Sequence, residues 1–332
     1  MHMERSQLII DLAAILAAGA PLIFATMGET ISERAGVVNL SLDGTMLLAA
    51  MVGFAAGLHS GSVIVGFVAA ALVGMLVALL LCFLSLSLNQ SQLAVGFVLA
   101  LLCTDLSSFL GAPYVRVPGE AVAAMPIPFL ADLPLIGPLL FDHDPVIYAS
   151  FLLVPAVWWF LFHTRAGLVM RALGERPASV FARGVNVTAL RYGYVLLGGA
   201  LVGIAGAAYS LDLKQGWSYR HIFGLGWISL AIVIFGGWRP WRVALGCYLF
   251  GALQLFASRS QSTLEQLPTQ IFQVTPFAVM IFVLVLVNTS SNPAVTRWVA
   301  RQPHALRRPL QWLIARLATP APAALGKPFE RP

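Results

Sequence analysis

GTMLLAAMVGFAAGLHSGSVIVGFVAAALVGMLVALLLCFLSLSLNQSQLAVGFVLALLCT, residues 44–104, contains no Asp, Glu, Lys or Arg. At about 20 residues per helical crossing of a bilayer, this run alone holds two to three spans. Outward from it, residues 12–28, 145–164, 192–211, 221–238, 243–258 and 266–296 are also free of charge. Each is long enough, or nearly so, for one more span, which brings the expectation to about nine helices. The runs are continuously apolar, without the short alternating strands of an outer-membrane barrel. The fold class expected is all-α, a polytopic transmembrane helical protein.

Composition agrees. Of the 332 residues, 59% are apolar and 10% charged, and the mean hydropathy is +0.84. A soluble domain carries about 25% charged residues, so a soluble enzyme, a soluble regulator and a disordered chain are excluded. Cys82, Cys103 and Cys247 all fall inside apolar runs with no C-x-x-C spacing, which reads as buried packing and not as metal or redox chemistry. The start, MHMERSQLIIDL, has no small-residue cleavage site, so the first span is expected to remain. The net charge of +6 comes from basic residues flanking the spans and forms no continuous stripe. It is an orientation signal and not a nucleic-acid footprint.

Basic residues collect on cytoplasmic segments. Residues 165–191 hold Arg165, Arg171, Arg176, Arg183 and Arg191, and seven Lys or Arg lie from Arg297 onward. Both segments are expected inside, giving a permeation domain over 1–296 and a basic cytoplasmic tail over 297–332. Residues 112–144 contain Arg116 alone and are rich in proline, so they form the expected outer loop. In the tail, Leu306, Leu310, Leu313 and Leu317 recur at helical spacing, as in a helix lying on the membrane, while PAPAALGKPFERP (320–332) has the composition of a disordered end.

One segment breaks the pattern. GETISERAGVVNLSLDG (28–44) carries Glu29, Glu33, Arg34 and Asp43 between two apolar runs. As a simple cytoplasmic loop it puts the N-terminus outside. If 35–42 instead dips into the bilayer as a half-helix, the count becomes about ten and the N-terminus is inside. Charges beside spans are costly in lipid, so they either pair with one another or face a polar route. On the second reading Glu29, Asn39 and Asp43 line the translocation path, and Asp105, beside Thr104, Ser107 and Ser108, faces a cavity nearer the outside. Trp158, Trp159, Trp238 and Trp241 sit at expected span ends as interface anchors. Gly199, Gly203 and Gly206 form a small-residue face for close helix packing.

No phosphate-binding loop, dinucleotide fingerprint or H-E-x-x-H is present, so no catalytic or metal-binding residue is expected. The cytoplasmic stretch HTRAGLVMRALGERPASVFARGVNVTALRY (163–192) instead offers Pro177 for the first turn of a short helix and Gly184 for its end. Its order Gly174-Glu175-x-x-Ala178, then Gly184, resembles the coupling segment of ABC importer permeases, with Ala182 one turn beyond Ala178 on a small face. Residues 28–50, with the core Glu33-Arg34-x-Gly36-Val37-x-Asn39-Leu40, are similar to the signature of the branched-chain amino acid and simple-sugar permease superfamily, in its nucleoside branch with basic-membrane-protein-type receptors. GLGWISLAIVIFGGWRPWRVALGCYLFGALQLF (224–256) resembles the Gly-x-Gly-Trp-Ile segment and Gly-x-Trp-x-Pro turn of that branch. Asp43 departs from the Glu common there, keeping the charge, and the tail matches no motif.

The resemblance spans roughly residues 10 to 290 and implies the permease subunit of an ATP-driven importer in a bacterial or archaeal inner membrane. It would bind no cofactor itself, ATP being used by a separate ABC ATPase docked at Gly174, Glu175, Pro177, Ala178, Ala182 and Gly184. A second homologous permease as heterodimer partner and an extracytoplasmic substrate-binding lipoprotein are implied too. The implied substrates are nucleosides or related nucleobase compounds, with simple sugars or riboflavin-like compounds as alternatives. A secondary transporter of a small metabolite is the competing class. It would need paired carboxylates at mid-span, which the chain offers only within 28–44.

Overall fold

The computed structural model describes residues 2–131, 133, 136–219, 221–222, 224–263, 269–290, 297, 299 and 320–329. The expected amphipathic helix around Leu306–Leu317 lies outside them. The quoted run becomes three helices in succession: α2 (Leu42–Ser60), α3 (Val63–Cys82) and α4 (Gln92–Gly111). Before them α1 (His2–Arg34) is one helix of 33 residues, about 50 Å at 1.5 Å per residue. After the 112–144 loop come α5 (Pro145–His163), α6 (Arg165–Glu175), α7 (Pro177–Phe181) and α8 (Val187–Ala207), which continues as a π turn to Leu213. The chain ends its described helices with α9 (Leu225–Gly236), α10 (Pro240–Thr263) and α11 (Thr269–Ser290). Six described helices are long and apolar enough to cross a bilayer, at 7–34, 42–60, 63–87, 92–114, 145–163 and 187–213.

Counting charge-free runs overestimates at 221–238. Only 12 residues of that run are helical, about 18 Å against an apolar core of about 30 Å. The reason is local. Gly224 sits at φ +91°, left-handed, so no helix can be running through it and α9 starts afresh at Leu225.

The 112–144 segment folds over one end of the bundle. Val122 N–H donates to Leu211 O (3.1 Å), and Met125 and Ile127 pair with His143 and Phe141. His59 at the end of α2 meets the Tyr114 hydroxyl at 2.9 Å. The first turns of α1 reach the same end, where Ile9, Ile10 and Ala13 share a cavity with Val122, Ala124 and His143. At the other end of α1, Arg34 bonds the carbonyls of Gly237 and Trp238, and Gly174 of α6 lies against the Arg34 carbonyl. The basic segments 165–191 and 236–242 therefore share one end of the bundle, the end their arginines are expected to turn to the cytoplasm, with the start of α1 opposite. Residues 28–34 complete α1, and the non-helical turn 35–41 is enclosed by the bundle and not in water.

Helix α8 is the hub. Lipid tails provide no hydrophobic drive between helices, so close backbone approach has to hold them. Along α8, Gly198 meets Gly28 of α1, Gly199 meets Gly74 and Gly203 meets Ala70 of α3, and Gly206 meets Met46 and Ala50 of α2. In each case an added Cβ would overlap the facing backbone. Trp158, Trp159 and Trp241 keep the exposure expected of interface anchors, whereas Trp238 does not: it is 3% exposed and points inward. The three cysteines are free and buried.

Replacing Gly203 with Leu should separate α3 from α8. The expected cost is about 1–3 kcal/mol, the range for overpacked cores, read as a lower midpoint of thermal unfolding in detergent. An unchanged midpoint would mean that the contact yields without strain.

Candidate translocation site

Two non-helical breaks, 35–41 before α2 and the described residues between α8 and α9, are joined through Asp43 in the first turn of α2. The second re-enters from the outer end: Trp217 packs on Gly111, Tyr209 faces His221 with ring centroids 5.5 Å apart, and Gly224 arrives beside Asp43. Asp43 lies in the first turn of α2, and its Oδ1 accepts from Gly224 N–H (2.8 Å) and Gly226 N–H (3.0 Å). Those amides open α9, so Asp43 is an N-cap supplied from a helix 181 residues away in sequence. A helix N-terminus carries unpaired N–H groups and a partial positive charge, and a carboxylate answers both. Gly226 is needed there because its Cα lies against the Asp43 backbone, leaving no room for a side chain. The two signature stretches, 28–50 and 224–256, are thus in contact at this point.

The 35–41 break is satisfied from three sides. Glu29 Oε1 accepts from Asn39 N–H (3.1 Å), Gln92 Oε1 from Val38 N–H (3.0 Å), and Asn39 Oδ1 from the Ser41 N–H and hydroxyl (3.0 and 2.5 Å). Glu29, Glu33, Asn39 and Asp43 are all buried. Glu33, one turn after Glu29, accepts from the Trp238 indole N–H.

Of the expected path residues, Glu29, Asn39 and Asp43 come together around these breaks. Asp105 does not join them: it stands exposed on α4 among Leu101, Leu102 and Phe109, while Thr104 and Ser107 turn inward. Three participants escaped the sequence reading. Gln92 is 5% exposed and seals the break. Trp238 looked like an anchor. Arg191 looked like a topological charge yet is 1% exposed. No local pattern marks Gln92 or Arg191, whereas the Gly-x-Trp-x-Pro turn does mark Trp238.

The coupling residues divide. Pro177 opens α7, and Ala178, Ala182, Arg183 and Gly184 are exposed along one side, with Gly184 at φ +78° turning the chain back. Gly174 and Glu175 belong instead to the end of α6, and Gly174 is buried against α1. On the outer half, a cavity of about 600 Å³ opens between α1, α10 and α11, lined by Tyr209, Lys214, Gln254, Gln261 and Phe277. Among the described residues no group of three or more His, Cys, Asp or Glu is placed to hold a metal ion.

The arrangement is a membrane-spanning helical bundle with a short capped helix inside it and a two-helix projection at one end. Residues 12–284 match the family described as branched-chain amino acid transport system / permease component, and the chain belongs to it. It is similar to a putative glucose ABC transporter permease protein of Haloferax volcanii, 39% identical over 289 residues, 86% of each chain. A nucleoside ABC transporter permease protein of Lactococcus lactis is 31% identical, over 83% of this chain and 92% of its own. A guanosine ABC transporter permease protein of Bacillus subtilis is also 31% identical, over 73% and 80%. No solved structure matches. The protein is a multi-pass permease of the inner membrane, a transporter subunit and not an enzyme, and the family implies work with an ATPase and a substrate-binding protein.

Removing the cap separates its two roles. Asp43→Asn keeps an oxygen for both amides and should fold with a near-normal melting midpoint. Asp43→Ala removes it, costing about 0.5–2 kcal/mol for the lost cap and roughly 1–3 kcal/mol for an unpaired buried group. Equal midpoints for the two variants would show that α9 does not depend on this carboxylate.

Proposed function

We propose that the chain forms half of the translocation pathway of an ATP-driven importer for nucleosides or related nucleobase compounds, paired with a second, homologous permease. The observation that carries the reading is the capping of α9 by Asp43, directly after the 35–41 break. Irregular backbone within a bilayer is tolerated where it is enclosed by protein or lines a route, and α9 is a short helix whose opening turn depends on a cap from another helix. Glu29, Asn39 and Asp43 form the inner closure of the route. The outer cavity, with two aromatic rings and two side-chain amides, suits a flat ring bearing hydrogen-bonding edges.

On the cytoplasmic side, α7 docks on a separate ATPase through Ala178, Ala182 and Gly184, whose small side chains permit close approach. ATP is bound by that partner, and this chain binds no cofactor. An extracytoplasmic lipoprotein delivers the substrate to the 112–144 end. The nucleoside reading is supported by the two nucleoside relatives and by the Glu33–Leu40 core. The 39% identity to the glucose permease supports simple sugars as the second reading. Both substrate classes present a polyhydroxylated ring.

Competition of purine and pyrimidine nucleosides against glucose for binding to the cognate receptor, followed by uptake through the assembled transporter, tests the substrate. Nucleosides are expected to bind and be taken up, and glucose alone doing so would overturn the first reading. For docking, Ala178→Asp should abolish co-purification with the ATPase, because an unpaired charge buried at an interface costs about 3–5 kcal/mol. Receptor binding should persist. Normal co-purification and ATP hydrolysis would reduce α7 to a topological loop.

A further inference from the structure

Residues 320–329, whose composition predicts disorder, are ordered and laid across the cytoplasmic end of the bundle. Ala324 N–H donates to Gly174 O at 2.8 Å, and Gly326 N–H donates to Gly36 O at 3.1 Å. Two amides two residues apart thereby stitch the end of α6 to the 35–41 break. Glu175 Oε2 accepts from Ala323 N–H (3.3 Å), and the buried Arg191 donates to Lys327 O (3.3 Å). Beyond them, the Phe329 ring lies 5.7 Å from that of Phe181 on α7 and joins the apolar cluster of Val180 and Val187. Leu325 packs against the main core of the bundle.

The segment touches the inner face of α7 and leaves the other face open. Val180 is buried and Phe181 half-buried, whereas Ala178, Ala182 and Gly184 on the opposite side remain exposed. Its other end holds the turn that carries Asn39 and leads directly into Asp43. The exposed face of α7, Phe181, Phe329, the stitched amides, Gly36, Asn39 and the cap of α9 therefore form one unbroken series of contacts.

We propose that residues 320–329 are a coupling strap, whose Ala324, Gly326 and Phe329 are positioning residues that transmit movement of α7 to the Asn39–Asp43 closure. This rests on the permease reading above. A strap that only added stability would leave the ratio of transport to hydrolysis unchanged, whereas a transmitting strap sets that ratio. Energetic coupling between sites commonly spans about 5- to 150-fold.

The test uses the whole transporter: this chain, its ATPase, the second permease and the receptor, in proteoliposomes. The wild-type chain is first checked for ATPase co-purification, and its failure there would overturn the permease reading and the strap with it. Deletion of everything beyond Thr319 should then keep the ATPase bound and basal hydrolysis within about two-fold, while nucleoside uptake per ATP falls about ten-fold or more. Phe329→Ala, which spares every backbone bond, should lower uptake per ATP several-fold, and Phe329→Tyr should restore it, so the inference stays testable if the deletion variant misfolds. Wild-type uptake per ATP in Phe329→Ala would overturn the proposal. So would loss of the ATPase from a folded deletion variant, which would make the segment part of the docking surface.

Discussion

A single carboxylate oxygen, Asp43 Oδ1, closes the opening turn of α9 and ties it to the first turn of α2. In a membrane no water waits to pair an exposed amide, so a helix beginning inside the bundle needs an acceptor from elsewhere in the protein. Asp43 sets where α9 begins, how closely α2 approaches it, and why glycine occupies position 226. Gln92 and Glu29 do the same for the 35–41 break. Three polar side chains from α1, α2 and α4 thus keep two stretches of irregular backbone inside an apolar protein.

The rest of the molecule is held in two ways. Helix α8 contacts α1, α2 and α3 backbone to backbone, a seam with no slack for sliding. The elements around Asp43 are held by apolar packing together with hydrogen bonds and caps, and a buried amide that loses its acceptor there costs about 1–3 kcal/mol. Arg34 and Arg191 add a cytoplasmic layer in which buried guanidinium groups bond backbone carbonyls of Gly237, Trp238 and Lys327. That layer is where the series of contacts from α7 reaches the closure.

Much of this is legible in the sequence. The absence of charge over residues 44–104 announces two to three consecutive spans, because apolar length decides whether a segment can cross, and the structure makes three. The clustering of arginine over 165–191 gives the expectation for which end faces the cytoplasm, and Pro177 and Gly184 mark the bounds of the short helical projection, since proline and glycine act through their own backbone geometry. Glycines 199, 203 and 206 announce a packing face in the same way.

What tertiary structure alone decided involves pairs of residues far apart in the chain. No local signal tells that Asp43 caps α9, that Gln92 seals a turn on another helix, or that Trp238 abandons the interface to reach Glu33. Composition misjudged residues 320–329 because proline and alanine cannot build a core of their own, yet here they need none: Gly174, Gly36 and Phe181 supply the partners. Helix length, sidedness and turn chemistry are properties of a segment and its solvent, and the sequence carries them. The satisfaction of buried polar groups is a property of the folded neighbourhood, and only the assembled bundle determines it.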